Sequence, residues 1–153
     1  MEHPMAHIFG CEPDHNAWTG KENSKPRPPH RFMRSAGGHV HVETQKDPST
    51  VIKAMDLFLG VPSVLMDEGE DRKKLYGSAG AHRIKPYGVE YRTLSNFWIF
   101  EDRLIKWVWD NTERALACDI DLSSCSKDII KAINKNDKTL AKKLVKHFGL
   151  EVV

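Results

Sequence analysis

The chain has few cysteines, no long apolar run and no large excess of either charge. Its three cysteines, Cys11, Cys118 and Cys125, include no Cys-x-x-Cys pair, so neither a disulfide framework nor a cysteine-rich zinc site is indicated and a reducing cytoplasm fits best. No apolar run approaches the ~20 residues that span a bilayer, and the N-terminus lacks the basic and apolar regions of a signal peptide. A net charge of +2 is too small to indicate a nucleic-acid partner, because such proteins normally carry a concentrated basic stripe. We therefore expect a cytoplasmic protein without a membrane or nucleic-acid partner.

What is present is the composition of an ordinary globular domain. The 153 residues are 40% hydrophobic and 29% charged, and a chain of this size buries roughly 70% of the surface that its unfolded form exposes. A core can therefore form without disulfides or a metal. The elements described next predict an α+β fold, with an antiparallel sheet, helices on one of its faces and a helical C-terminus.

The segment GGHVHVETQ alternates strictly between polar and apolar residues. A strand here has a polar face and an apolar face, formed by His39, His41 and Glu43 and by Val40 and Val42, respectively. Two imidazoles on one face lie roughly 6–7 Å apart and can serve one ligand. Three interpretations stay open: solvated histidines, a zinc site, or a phosphate or magnesium site. Gly37 and Gly38, which precede the strand, permit close approach of a ligand to the backbone.

Four amphipathic helices are predicted from apolar residues at helical spacing. The first is the clearest, because Asp47 is a suitable N-cap, Pro48 occupies the first helical position and Gly60 is a suitable stop. A short apolar segment, VPSVLMD, then follows. The second helix runs from about Glu101 to Cys118. The third begins at the N-cap Ser126, and the fourth extends from the N-cap Asp137 to Gly149.

Two segments lack any regular period and are interpreted as loops. Residues 19–35 are polar and rich in proline, which indicates a loop or lid. The stretch RKKLYGSAGAHRIKPYG is basic and rich in glycine, and we interpret it as a long ordered loop that can surround phosphate oxygens. A solvent-exposed basic turn is the alternative. The residues concerned are Lys73, Lys74, Arg83, Lys85, Gly77, Gly80 and Gly88, with Tyr76 and Tyr87 expected only to pack the loop.

A second strand is predicted in VEYRTLSNFWIF, where Glu90 and Arg92 share a face opposite Val89, Tyr91 and Thr93. Taken alone, a Glu and an Arg on one strand face are more often a solvated surface pair, worth about 0–1 kcal/mol. The basic, glycine-rich stretch that precedes the strand favours a chemical role for the pair beside bound phosphate.

Near the N-terminus, GCEPDHNAW contains Glu12, Asp14, His15 and Asn16, followed by Trp18. Their spacing matches no tight metal motif. We expect a turn in which Asp14 and Asn16 satisfy the backbone, while Trp18 either covers a flat ligand or anchors the loop.

Taken with their order, GCEPDHNAW, RSAGGHVHV, MDLFLGVPSVLMD and LYGSAGAHRIKPYGVEYRTLSNFW resemble the amidoligases encoded by tailed bacteriophages. These enzymes belong to the carboxylate-amine ligase superfamily, which includes glutamine synthetase and glutamate-cysteine ligase. The resemblance covers about residues 10–110 and is most specific in GGHVHV and from Tyr76 to Trp98. It implies a partial glutamine synthetase-like catalytic domain over residues 1–122, with residues 123–153 as a C-terminal helical extension of the same domain.

The resemblance also implies an ATP- and Mg²⁺-dependent ligase that forms an amide through an acyl phosphate, in the host cytoplasm if the protein is encoded by a phage. His39 and Glu90 would hold Mg²⁺ at the γ-phosphate of ATP, Arg92 would contact the transferring phosphate, and His41 would lie farther along the nucleotide. The further candidates are Arg83 and Lys85 for catalysis and Gly37, Gly38, Lys74 and Gly80 for nucleotide binding. The expected substrates are a small-molecule or peptide carboxylate and an amine.

Two departures from the family leave alternatives open. Relatives have a longer N-terminal region whose early strands donate acidic metal ligands, and Glu12 and Asp14 are not obvious substitutes. We therefore expect a fragment, a partner chain that supplies the missing segment, or loss of catalysis. Glu43 also stands where glutamate-cysteine ligases usually have glycine after HVHV, which leaves the substrate pocket undefined. The alternative functions are a non-catalytic nucleotide-binding or structural remnant and a zinc-dependent hydrolase that uses His39 and His41.

Overall fold

The computed structural model describes residues 13–24, 36–69 and 76–153. Within them the fold is α+β, as predicted from the sequence, with a five-stranded antiparallel sheet and four helices. Several predictions lie outside the described residues: those on Cys11, Glu12, Lys73 and Lys74, and the larger part of the predicted 19–35 loop.

The sheet has the strand order β2-β1-β4-β5-β3, and every neighbouring pair is antiparallel. Its strands are β1 (His15–Asn16), β2 (Lys21–Glu22), β3 (Val40–Glu43), β4 (Ala81–Lys85) and β5 (Gly88–Tyr91). A tight hairpin joins β4 to β5 and ends at Gly88, whose φ of +151° favours glycine. A Cβ atom there would lie 2.2 Å from the carbonyl oxygen of Val42, so this glycine lets β3 pack directly against the hairpin.

The prediction of one long loop between the first helix and the second strand is wrong at residues 81–85, which form β4. Buried His82 shares a face with Ile84, whereas Arg83 and Lys85 lie on the other face. Polar residues therefore occupy both faces, which removes the hydrophobic alternation that identifies a strand. The short strands β1 and β2 likewise replace part of the predicted turn and loop, because two residues are too few to show a period.

The first helix is longer than predicted and continues without a break from Pro48 to Met66. It consists of α1 (Pro48–Met55), a π-helical turn (Asp56–Gly60) and α2 (Val61–Met66). Asp47 caps it as predicted, accepting a hydrogen bond from the Thr50 amide at 2.8 Å. The predicted stop at Gly60 is wrong, because this residue has ordinary helical angles. A Cβ there would lie 2.7 Å from Ile133 Cδ1 and 2.8 Å from the Tyr91 hydroxyl, so close packing explains the glycine.

The three C-terminal helices agree with the sequence prediction. They are α3 (Asp102–Ala117), α4 (Ser126–Asn134) and α5 (Lys138–Phe148). The Asp137 carboxylate caps α5 by accepting from the Leu140 amide at 3.0 Å, and Gly149 ends it in the left-handed conformation with φ +60°. For α4 the predicted cap is displaced by one residue, since Cys125 is the N-cap and Ser126 is the first helical residue.

The core lies between the apolar face of the sheet and the helix Pro48–Met66, with α3, α4 and α5 packed around that helix. By length and composition Pro48–Met66 could cross a membrane, but 72% of its most apolar window is buried inside the fold. In this structure it is the central core helix. Val42, Val89 and Tyr91 point into the core, with exposed fractions of 5%, 0% and 0%, which leaves the opposite face of the sheet for polar groups.

Candidate functional site

The register of β4, β5 and β3 aligns polar residues in rows across the outer face of the sheet. Glu90 on β5 lies opposite Arg83 on one side and His41 on the other. In the next row Gly88 separates Lys85 from Glu43. Because directly opposed residues of antiparallel strands point to the same face, the predicted polar faces of the two strands are confirmed and combine into one surface.

Glu90 is the centre of this surface, and its side chain is only 5% exposed. Its Oε1 atom lies 2.9 Å from His39 Nδ1 and also accepts a hydrogen bond from the Arg92 guanidinium. The other oxygen, Oε2, is paired with Lys85 Nζ at 3.0 Å. A buried carboxylate is stable only when it is paired and hydrogen-bonded, and these three partners meet that requirement.

Arg92 is buried beside Glu90, with 3% of its side chain exposed. Its Nε atom donates to Asp14 Oδ2 at 3.1 Å, and its guanidinium carbon lies 5.1 Å from the centre of the Tyr76 ring. The alternative of a solvated Glu90 and Arg92 surface pair is therefore wrong. Two carboxylates fix the guanidinium in a planar, forked arrangement of the kind that recognises phosphate.

Asp14 belongs to this site, although from the sequence it was expected only to satisfy a turn. Pairing of β1 with β4 brings Asp14 to Arg92 across 78 residues of sequence. The predicted turn also forms, since the Asn16 side chain accepts from the amides of Trp18 and Thr19. No sequence signal could have revealed the long-range contact, because it depends on a two-residue strand.

His39, which directly precedes β3, and His41, which lies on β3, have different partners. The Nε2 atom of His39 is 3.0 Å from the hydroxyl of Tyr76, and its Nδ1 atom faces Glu90 and Arg92. His41 is exposed and is bound through Nδ1 to the Tyr87 hydroxyl. The two tyrosines therefore do more than pack a loop, as each one orients a histidine. The half-buried His39 therefore contacts the buried pair Glu90 and Arg92, whereas the exposed His41 lies at the margin of the site.

The glycines predicted to approach a nucleotide have packing explanations. A Cβ on Gly38 would lie 2.3 Å from Trp98 Nε1, and Gly37 forms an isolated bridge with Ser95. Gly80 is buried with φ +77°, and a Cβ there would lie 2.7 Å from Trp18. The nucleotide contacts predicted for these glycines stay predictions.

Asp56 is a buried polar residue that the sequence reasoning missed. Its carboxylate is fully buried and accepts four hydrogen bonds: at 2.6 Å from Trp18 Nε1 and the Gly80 amide, and at 2.8 and 3.2 Å from the Tyr91 and Thr93 hydroxyls. Tyr91 and Thr93 flank Arg92, and Gly80 leads into β4, so this one carboxylate holds the strands that carry the site. Burial raises its pKa from 3.8 to about 6, although the hydrogen bonds oppose that rise. A lone acid inside the apolar run AMDLFLG was the available signal.

The donor groups of the site fit a magnesium-phosphate complex better than a zinc centre. Within residues 13–24, 36–69 and 76–153, no group of three or more His, Cys, Asp or Glu side chains is arranged to hold a metal ion, whereas zinc sites use three or four protein ligands. Magnesium usually binds one or two carboxylates and takes its other oxygens from water and substrate phosphates. Glu90, next to His39, supplies one such carboxylate, and bound phosphates would give Lys85 and Arg92 new partners.

A family model described as phage phiEco32-like COOH.NH2 ligase, type 2, matches residues 27–144. The match covers more than half of the chain and includes β3, β4, β5 and α3. It also extends through α4 and into α5, beyond the region of the resemblance seen in the sequence. No curated protein and no solved structure matches the chain.

Proposed function

The chain belongs to the phage phiEco32-like COOH.NH2 ligase family, type 2, and from this premise we propose that it is an ATP- and Mg²⁺-dependent amidoligase. The proposed reaction joins a carboxylate to an amine through an acyl phosphate. The observation that carries this proposal is the cluster formed by the buried Glu90 and Arg92 with the half-buried His39 on the polar face of the sheet.

Phosphoryl transfer needs positioned charge more than it needs a protein nucleophile. Arg92 supplies a fixed positive charge, and Lys85 at 3.0 Å from Glu90 supplies a second one on a more exposed side chain. Glu90 and His39 are the groups that would hold Mg²⁺, and the ion would neutralise negative charge on the phosphates. This arrangement accounts for a carboxylate that is buried among cations on the polar face of the sheet.

In the proposed reaction, a carboxylate oxygen of the first substrate attacks the γ-phosphorus of ATP. The bond between that phosphorus and the β–γ bridging oxygen breaks, and ADP leaves. The amine of the second substrate then attacks the acyl carbon, the carbon–oxygen bond to phosphate breaks, and the departing phosphate takes the proton that the amine loses. Arg92 would stabilise the charge that develops on the transferring phosphoryl group.

The proposal includes a glutamine synthetase-like arrangement of the catalytic sheet. Two features support it: an antiparallel sheet with helices on one face, and an active surface made of polar side chains on the other. The family membership supports ligase chemistry, and the buried charge cluster supports phosphoryl transfer as the way in which the carboxylate is activated.

The test is carboxylate-dependent ADP release coupled to product formation. Mg-ATP, hydroxylamine as the amine, and pools of amino acids and short peptides as carboxylates are incubated with the protein, and ADP and hydroxamate are measured together. We expect both products in equal amounts, with loss of both in Glu90→Gln. Glu101→Gln is the matched control, because Glu101 forms the same Glu-x-Arg pair with Arg103 on the exposed surface. ADP release at the same rate with and without a carboxylate substrate would indicate an ATPase. ATP binding without turnover of any of the carboxylate pools would support the non-catalytic alternative.

A further inference from the structure

A groove of about 410 Å³ runs beside the candidate site, between the outer edge of β3 and helix α3. We call it the edge groove. It begins at His39 and includes every residue of β3, while the opposite wall is formed by α3 and by Trp98. Whatever lies in this groove is therefore next to the buried cluster that contains Glu90 and Arg92.

Within the part of the chain that the structure describes, the strand side of the edge groove presents backbone groups without a hydrogen-bond partner. The amide of Thr44 donates to the Tyr87 carbonyl at 3.1 Å, and hydrogen-bonded pairs alternate along an antiparallel ladder. The amides of Val42 and Val40 therefore also face β5, whereas those of His41 and Glu43 face outward. Among the described residues β3 is the last strand of the sheet on this side. Such an edge can accept one further extended strand.

The helix side of the edge groove is apolar. Trp109 and Ile105 project from α3 with 68% and 43% of their surface exposed, and both line the groove. The indole of Trp98 donates to the Gly38 carbonyl at 3.3 Å, which fixes the end of the groove nearest the candidate site. An exposed tryptophan beside an open strand edge is the kind of surface that marks an interaction site.

The far end of the edge groove is acidic. Lys46 Nζ donates to the Leu116 carbonyl at 2.6 Å, so the C-terminal end of β3 lies beside the last turn of α3. Glu43 and Glu113 line the groove at this end, and both are exposed. No ion pair to either carboxylate is present in the described part of the chain. Glu43 follows His39 by four residues, so the acidic end lies about 13 Å along the strand from the His39 end of the groove.

We propose that the edge groove binds an extended peptide, which carries a basic side chain at Glu43 and Glu113 and presents a reacting group at the His39 end. The proposal rests on the proposed function, because it makes the peptide a substrate of the same site. Backbone hydrogen bonds to His41 and Glu43 provide affinity, the surface of Trp109 and Ile105 takes an apolar side chain, and the two carboxylates select positive charge. Charge complementarity therefore favours a basic peptide over an acidic one.

Two capped hexapeptides test this inference without ATP, one alternating valine with lysine and the other alternating valine with glutamate. Binding is measured at low salt by tryptophan fluorescence and by amide chemical shifts in NMR spectra. We expect the lysine peptide to bind about fivefold or more tightly than the glutamate peptide, as two exposed ion pairs allow. The amides of His41 and Glu43 should shift more than those of Val40 and Val42.

Charge reversal makes the test specific to the groove. The double variant Glu43→Lys with Glu113→Lys should reverse the order of the two peptides. The control, Glu22→Lys with Glu151→Lys, makes the same change of net charge at residues that do not line the groove and should keep the original order. Glu43→Pro, which removes one outward amide from an edge strand, should weaken the lysine peptide more than Glu43→Gln does.

Three results would overturn the inference. The first is equal binding of the two peptides by the unmodified protein, and the second is an order that the double variant does not reverse. The third is a dimer of the protein that Glu43→Pro converts to a monomer, because a second copy would then occupy the edge. None of these measurements involves turnover, so absence of ligase activity would contradict the proposed function alone and would leave peptide binding to be judged separately.

Discussion

Replacement of Asp56 by asparagine tests the most unusual electrostatic feature of the fold. Asp56 is fully buried, and its pKa is raised from 3.8 to about 6, chiefly by burial. A raised pKa means that the folded state binds the proton more tightly than the unfolded state. The contribution of Asp56 to the free energy of unfolding should therefore fall as the pH rises from about 4 to about 6, and should level off above about pH 7.

The size of this effect follows from the pKa difference. A rise from 3.8 to about 6 corresponds to about 3 kcal/mol between the protonated and ionised forms. Asparagine is nearly the same size and has no titrating proton. Its carbonyl oxygen can accept from Trp18 and the Gly80 amide, and its amide can donate to the Tyr91 and Thr93 hydroxyls after they rotate. The variant should therefore fold and should lack this pH dependence.

The assay is urea unfolding of both proteins at pH 4, 5, 6 and 7, with the free energy obtained by linear extrapolation. Subtraction of the variant's free energy of unfolding from that of the unmodified protein removes the contributions of distant carboxyl groups. We expect the difference to fall by about 2 kcal/mol from pH 4 to pH 6, and by a few tenths of a kcal/mol more by about pH 7. Asp119→Asn is the control, because the Asp119 side chain is 93% exposed. A flat difference for Asp56→Asn would show that its hydrogen bonds offset the effect of burial.

Four further substitutions separate scaffold from chemistry. Val42→Ala should lower the free energy of unfolding by about 2 kcal/mol, whereas His39→Ala should leave it nearly unchanged and weaken the binding of Mg-ATP. Thermal melts with and without Mg-ATP distinguish these two effects. The reverse pattern would contradict the strand assignment. Gly60→Ala should destabilise the fold by about 1–3 kcal/mol through overpacking, as measured by urea unfolding, and an unchanged stability would contradict the packing role of this glycine. Arg92→Lys should reduce amide formation by about 10²-fold or more, whereas Arg103→Lys on the surface should not; equal rates would remove Arg92 from the mechanism.

Much of the fold could be predicted because local patterns determined it. Strict alternation identified β3 and β5, and caps together with helical spacing identified α3 and α5. The wrong predictions at β4 and Gly60 share a physical cause, because tertiary contacts rather than the local sequence pattern determine the structure there. Gly60 looks like a helix stop, but it provides room for the Tyr91 hydroxyl.

The residues of the candidate site likewise include some that the local sequence pattern predicted and some that it could not. Alternation alone placed His39, Glu90 and Arg92 on the polar face, and the structure brings these three side chains together. Asp14 and Asp56 could not be assigned from spacing. The first depends on pairing between β1 and β4, and the second depends on burial of the central helix against four hydrogen-bond donors that lie on other segments of the chain.

Calorimetric titration with ATP, in the presence and absence of Mg²⁺, is the most direct test of the proposed site. For the unmodified protein and for the surface variant Glu101→Gln, we predict a lower Kd when Mg²⁺ is present. For Glu90→Gln, which removes the carboxylate that would hold the metal, we predict the same Kd with and without Mg²⁺. An affinity of the unmodified protein that does not respond to Mg²⁺, or a full response in Glu90→Gln, would contradict a metal-nucleotide site at His39 and Glu90.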